Sequence, residues 1–369
     1  MKIRTQIQLL LSAILLLTAS CSSCEQHNIG SAPDAYGAKL ATQQVTLGGG
    51  VVHGTALHPL IKVAGTIQEN LHKEQTLAGI IVIPQGADIK TAAEELRDTA
   101  HPQEVNTCTA LLGGQGFAYY DSHVAEKQQG AVTITALSET IPLQGATTYD
   151  AYCILRRTKT GCVYYSPAGI SFTTPDLTTF PTIQMQRADV TKDPTNTIQL
   201  DLRSDITTLG TATIKKQGFL LTKQGGTNVE PPALVASLLR ENKPLPTAGL
   251  QPWNSNPDAI HVDGTISATA IEALNILDTS NLLQRGAIYD VCSYAVCEDH
   301  GQDYYIFSQN TQPATILKTV VELQMNTASV VKLTETAANR ALNKLILKFE
   351  GQITRQEDTT NPIIGFLAT

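Results

Sequence analysis

The chain has 369 residues, 42% of them hydrophobic and 16% charged, with 26 basic against 33 acidic side chains and a net charge of -7. That balance belongs to a globular protein with a buried core and room for two or three domains, and it excludes wholesale disorder. No strongly basic run follows the first few residues, which also excludes nucleic-acid binding driven by phosphate contacts.

The N-terminus reads as a targeting signal. Lys2 and Arg4 supply a positive end, and Ile7 to Leu17 is apolar apart from Gln8 and Ser12. This run is too short to span a bilayer, so residues 1–20 are set aside from fold reasoning. Leu17-Thr-Ala-Ser-Cys21 then places small residues ahead of a cysteine. The segment resembles a bacterial lipoprotein signal, in which the chain is cleaved before a cysteine that becomes acylated. Cys21 matches that residue, although Thr18 stands where such signals usually carry leucine. The resemblance implies a lipid anchor at Cys21, outer-membrane localisation on the periplasmic or cell-surface face, and more acyl chain than stable anchoring needs. An ordinary secretory signal is the alternative. Residues 21–57, rich in small and polar residues with a Gly48-Gly-Gly50 run, are expected to form a flexible tether.

Beyond the tether a block recurs three times. Ile61-Lys-Val-Ala-Gly-Thr-Ile67, Leu200-Asp-Leu-Arg-Ser-Asp-Ile206 and Leu347-Lys-Phe-Glu-Gly-Gln-Ile353 share apolar first, third and seventh places. Twelve residues after the last isoleucine of each, a glycine (Gly79, Gly218, Gly365) opens an apolar run. Each copy reads as two successive strands that begin a module, and so long a repeat indicates an array of domains. The modules are expected at 58–175 and 196–315, with a linker at 176–195 and a partial third module, its first two strands, at 316–369.

Within each module a helical insertion is expected, near Asp88 to Leu96 in the first and from Pro231 to Arg240 in the second. Irregular aromatic-bearing stretches and alternating strands follow. The last part of each module repeats without a gap at a shift of 140 residues, pairing Tyr149 with Tyr289, Asp150 with Asp290, Gly161 with Gly301, Tyr164 with Tyr304 and Tyr165 with Tyr305. Each copy reads as a β-hairpin.

Many short strands separated by turns argue for an all-β fold of tandem immunoglobulin-like β-sandwiches. Leu143-Gln-Gly-Ala-Thr-Thr-Tyr149, the Gly161 turn and Ser171-Phe-Thr-Thr174 resemble the end of a fibronectin type III module, and Leu283 to Tyr289 is similar. The variant resembles those repeated in Bacteroidota surface lipoproteins. The resemblance implies that Tyr149 and Tyr289 are corner tyrosines whose hydroxyls bond back to the backbone. It departs from the family in its helical insertions and in its one tryptophan, Trp253, which lies in an insertion.

Cys153 and Cys162 face each other across the proposed hairpin, and both are absent from the second copy, where Ser293 and Gln302 stand. A disulfide is expected there, with two buried free thiols as the alternative. Cys292, Cys297 and His300 are zinc-type ligands by identity, but 292 and 297 point to opposite faces of a continuous strand, so no metal or other cofactor is assigned. No nucleophile elbow, phosphate-cradling glycine motif or zinc-protease motif is present, and no enzymatic activity is expected. Asp150 and Asp290 read as turn contacts, and Glu94-Glu95 as a solvated helix face. The large aromatics of the insertions, Phe117, Tyr119, Tyr120 and Trp253, are the candidate ligand-binding residues, suited to stacking on sugars or gripping a protein. The competing reading has them plug each insertion onto its own module.

The sequence thus points to a membrane-anchored, non-enzymatic binding or adhesion scaffold with a protein or glycan partner at the cell surface. Two alternatives stand beside it: a pilus-like assembly subunit that uses strand complementation, and a carbohydrate-capture lipoprotein of an outer-membrane uptake system.

Overall fold

The structure is a computed structural model that describes residues 38–69, 76–98, 105–121, 129–157, 163–195, 197–227, 229–241, 249–267, 269–317, 321–331 and 346–356. The proposed signal peptide and Cys21 lie outside the described residues. Twenty-one strands and two α-helices carry the described chain, so it is mostly β.

In the first unit, β1 (Ala38–His53), β2 (Ala56–Glu69) and β6 (Gln129–Leu137) form one antiparallel layer. A second sheet runs in the order β4 (Cys108–Leu111), β5 (Gly116–Tyr120), β3 (Thr76–Pro84), β7 (Thr148–Arg157) and β8 (Val163–Tyr165), with β9 (Ile170–Thr173) also on β7. Side chains alternate across a strand, so Ile61, Val63 and Ile134 of the first layer meet Ile80, Val82, Tyr149, Ala151 and Leu155 of the second in one buried cluster. Each isoleucine, valine or leucine among them contributes about 1.5–3 kcal/mol on burial. Helix α1 (Ile89–Asp98) covers the other face of the second sheet, packing Ala92, Ala93 and Leu96 on Ile81, Ala118 and Ile154. Asp88 caps it, accepting from the Lys90 and Thr91 amides at 3.1 and 3.3 Å.

The second unit repeats this plan. Here β10 (Thr182–Lys192), β11 (Ile198–Thr208), β16 (Ala270–Leu277) and β15 (Thr265–Ser267) form the first layer. The second runs β13 (Leu250–Trp253), β14 (Asn256–Asp263), β12 (Thr213–Lys223), β17 (Ile288–Asp299) and β18 (Gln302–Phe307), with β19 (Gln312–Thr315) also on β17. Its outer face carries helix α2 (Pro231–Glu241). A final pair, β20 (Val321–Val331) and β21 (Ile346–Gln356), forms a sheet of two strands.

The opening strand pairs agree in register. β1–β2 breaks step between Thr42 and Gln44 opposite Gly65 and Ala64; β10–β11 does so between Met185 and Arg187 opposite Ser204 and Arg203. In β20–β21 the break falls between Met325 and Thr327, opposite Gly351 and Glu350. The bulge therefore occupies the same place in all three copies of the repeated block, as expected of a device built into the repeat.

Two expectations need correction. The tether ends earlier than 57, because residues 38–53 are strand β1. The expected linker 176–195 is mostly strand β10. In the third copy β20 and β21 fall within the expected 316–369, and the strand expected from Gly365 lies outside the described residues. Both mistaken segments are the first strand of an opening pair, whose bulge breaks the period-two pattern midway. The glycines that suggested flexibility serve the register shift between Leu47 and Gly50. Gly49 has φ +94°, and a Cβ there would collide with the Asp303 carbonyl. This shift brings the end of β1 alongside β18 in parallel, Gly50 opposite Tyr304 through His53 opposite Phe307. The two units consequently share one nine-stranded sheet.

The hairpin repeat also carries a slip. Leu155 stands opposite Tyr164, but its counterpart Ala295 stands opposite Ile306. Tyr164 thus corresponds to Ile306 and not to Tyr304. The extra length sits at the tip of the second hairpin, where His300 and Gly301 both take positive φ, 49° and 76°, as a tight two-residue turn requires.

Candidate functional site

The corner tyrosines behave alike in both units. Gln144 N–H donates to Tyr149 Oη at 2.9 Å, and Gln284 N–H donates to Tyr289 Oη at 3.1 Å. Each phenol thereby satisfies an amide in the loop five residues upstream while its ring stays in the core. Asp150 accepts from Ser171 Oγ at 2.6 Å and Asp290 from Gln224 Nε2 at 2.8 Å, which are structural contacts. Glu95 accepts from the Leu112 amide at 2.8 Å, and Glu94 pairs with Lys90 on the exposed side of α1.

The four candidate ligand-binding aromatics are buried, and each plugs its own unit. Phe117 and Tyr119 point into the inner cluster of the first unit, at 0% and 2% exposure. Tyr120 points the other way, beneath the α1 layer; burial pushes its phenol up to about 12 against the opposing pull of the Arg156 guanidinium. Trp253 is fully buried under α2 and donates its Nε1–H to the Leu234 carbonyl at 3.0 Å. β5 reads as an aromatic loop cluster in sequence because both its faces are covered, one by the opposing sheet and one by the helix.

The expected disulfide is not formed. Register places Ser166 opposite Cys153, with Ser166 N–H donating to the Cys153 carbonyl at 2.9 Å, and Cys162 lies outside the described residues. Cys153 keeps a free, buried thiol, pushed by burial up to about 11. Its backbone is tied instead to the bulge of β1, since Cys153 N–H donates to Thr42 Oγ1 at 2.9 Å. Cys292 faces the α2 side of β17 and Cys297 the inner cluster, so the two thiols stand on opposite faces of the sheet. Both are buried and pushed up to about 12.

One chain of polar side chains escaped the sequence reading. His261 is fully buried between strand neighbours Ile260 and Val262. Its Nε2 lies 2.8 Å from Asp263 Oδ1, and its Nδ1 lies 3.0 Å from Tyr294 Oη. Desolvation lowers the imidazole's pKa, with Asp263 opposing that shift and Lys216 adding to it. A neutral ring then donates Nε2–H to the carboxylate and accepts the phenol proton at Nδ1. The positions corresponding to His261 and Tyr294 in the first unit are Ala118 and Ile154, both apolar. The chain resembles a proton relay, yet its phenol end is sealed: Tyr294 is 1% exposed, packed edge-on against Trp253 at 5.5 Å and beside Phe307 at 6.0 Å. Only Asp263 reaches solvent, where its other oxygen accepts from the Gly249 amide at 2.8 Å. No substrate atom could approach the phenol without displacing α2. The network links β14 to β17 over the intervening β12, and no group of three metal ligands occurs among the described residues.

The second assembly of interest is the junction of the units. α2 belongs to the second unit, but Ala236 turns onto Leu60 and Leu137 of the first, with Leu239 alongside. His53 and His58 flank this seam. His53 packs its ring edge-on to Phe307, and His58 donates Nδ1–H to the Ser138 carbonyl at 2.6 Å. Burial lowers both imidazoles, with Glu230 opposing the shift at His53.

The third is the strand pair β20–β21, which joins no other sheet among the described residues. No other described strand pairs with either of its edges, and unpaired edges are templates for further strands.

Comparison with known proteins adds little. No protein-family model matches the chain, and no curated protein matches it. Among solved structures, the purple acid phosphatase PPD1 from yellow lupin (Lupinus luteus) seeds is similar over 78% of this chain at 11% identity and a TM-score of 0.19. The chain spans 43% of that protein's length. A likeness at that level bears on neither fold nor chemistry.

Proposed function

We propose that this protein is a lipid-anchored, non-enzymatic scaffold subunit built from fibronectin-III-like β-sandwiches, and that it assembles with a partner through its third repeat. The observation that carries this reading is the pair β20–β21. It reproduces the bulged register that opens the other two units, and among the described residues no further strand joins it, although a sheet of two strands cannot enclose a core by itself. A partner strand laid along one edge of the pair would add main-chain hydrogen bonds there. The corner tyrosines and the two-layer packing of each unit support the sandwich assignment. The anchor rests on the Cys21 signal, and the glycan-capture alternative loses its proposed platform with the burial of Trp253, Phe117, Tyr119 and Tyr120.

The test is deletion of residues 318–369 from the chain expressed in its native membrane. Loss of a high-mass assembly on native gels, with the two units still folded by circular dichroism, is the expected result. An unchanged assembly would overturn the reading. Mass spectrometry of the mature N-terminus should find acyl chains on Cys21, and none after Cys21→Ala.

A further inference from the structure

The helix of the second unit rests on strands of the first, and two of the buried histidines gather at that resting place. Side chains alternate along a strand, and residues directly paired across two strands share a face. β1 sends Val51 and His53 to the α2 side of the shared sheet. β2 sends His58, paired with Val51, and Leu60 to the same side, and β6 adds Leu137 opposite Leu60. Across the seam β18 places Tyr305 opposite Val51 and Phe307 opposite His53. α2 lies over this surface: Leu234, Val235 and Leu238 share a buried cluster with Val51, Tyr305 and Phe307, and Ala236 turns onto Leu60 and Leu137.

Among the described residues, few titratable groups face the two imidazoles. His53 and His58 face each other, so a charge on one discourages a charge on the other. Glu230, one residue ahead of α2, favours a charge on His53. Tyr305 stays a neutral phenol, pushed by burial up to about 12. His58 is 6% exposed and donates Nδ1–H to the Ser138 carbonyl, so an imidazolium there has a carbonyl and no carboxylate beside it. Burying such a charge is costly.

We infer that α2 is an acid-released clasp: it holds the first unit while His53 and His58 are neutral, and tilts off Leu60 and Leu137 when they take up protons. In the closed form burial keeps both imidazoles below the ordinary 6.5, and tilting the helix away returns them towards it. The open form therefore binds more protons, and acid favours it. Each histidine raises the ratio of open to closed form at most tenfold per pH unit below about 6.5, and the two together at most about a hundredfold. The helix gives way at its Ala236–Leu239 side because Leu234 is pinned to the second unit by the Trp253 Nε1–H bond to its carbonyl. The strand seam is held more firmly, since β1 pairs with both β18 and β2. The clasp is independent of the assembly reading.

Hydroxyl-radical footprinting of the full chain, read by mass spectrometry from about pH 7.5 to 5.5, tests it. Oxidation of Leu60 and Leu137, 1% and 0% exposed in the closed form, should rise several-fold as pH falls. Leu202, Leu221 and Trp253, buried within the second unit, should stay protected. The double variant His53→Gln/His58→Gln carries no proton-binding group at either place and should lose the rise, whereas His261→Gln should keep it. In the unsubstituted chain, the imidazole proton signals of His53 and His58 should titrate below 6.5, over the range in which Leu60 and Leu137 become oxidised. A flat response of the two leucines, or an equal rise in the double variant, would overturn the inference. So would a rise shared by Leu202, Leu221 and Trp253, which marks general unfolding, or imidazoles that titrate at or above 6.5.

Discussion

Replacing Trp253 with alanine separates a structural plug from a binding platform. The indole is fully buried, meets Tyr294 edge-on at 5.5 Å and His261 at 6.2 Å, and donates to the Leu234 carbonyl. Truncating a buried tryptophan to alanine costs about 3–5 kcal/mol in lost transfer energy and residual cavity. The aromatic contacts account for about 0.5–1.5 kcal/mol of that. A loss of this size is a large share of the roughly 5–15 kcal/mol that holds a domain folded. Equilibrium urea unfolding followed by far-UV circular dichroism measures it, since the substitution removes the single tryptophan fluorophore. The midpoint should fall steeply, and amides of α2 should exchange faster with solvent because the helix loses its main contact with the sheet. Trp253→Phe should recover more than half the loss, as it keeps a ring and gives up mainly the hydrogen bond, about 1 kcal/mol. An unchanged midpoint for Trp253→Ala would refute the burial argument, and glycan binding lost without any loss of stability would restore the platform reading.

Further outcomes follow from the same contacts. Tyr149→Phe and Tyr289→Phe should each cost about 1 kcal/mol by thermal or urea unfolding, because each leaves one loop amide without its acceptor; a large inequality between them would deny the equivalence of the corners. Cys153, Cys292 and Cys297 should resist alkylation in the native protein at neutral pH and react once it is unfolded, since burial raises all three thiols. His53, His58 and His261 have folded-state pKa values below the ordinary 6.5. The unfolded chain therefore binds more protons as pH falls below that value. Stability should be full above about pH 6.5 and decline below it, by at most about 1.4 kcal/mol per pH unit for each histidine. Urea midpoints from pH 8 to 5 measure this, and His261→Gln should flatten part of the slope.

The opening blocks, the strand-opening glycines Gly79 and Gly218, the corner tyrosines and the two described helices could be read from sequence because each carries an unbroken local signal. β1 and β10 could not. A bulge near the middle of each strand shifts the alternation by one residue, so apolar positions no longer fall on one parity. The aromatics of β5 and β13 misled for a different reason. A strand covered on both faces has no polar alternation to mark it as core. His261 was missed because a polar residue between two apolar ones looks like the exposed position of an alternating strand, and only the helix lying over that face makes it interior. The pairing of Cys153 with Cys162 failed on register, which depends on turn length, and the tip of that hairpin falls outside the described residues.

The parallel seam between β1 and β18 also decides how the molecule would respond to traction. A pull applied ahead of Ala38 and resisted from beyond Thr315 runs along β1, which is held by β2 on one flank and β18 on the other. The bonds on both flanks then bear the load together, in shear, instead of parting one after another from an end. A chain suspended from its N-terminal side would thus be toughest at its root, and the strand first mistaken for slack rope would be the part that does not stretch.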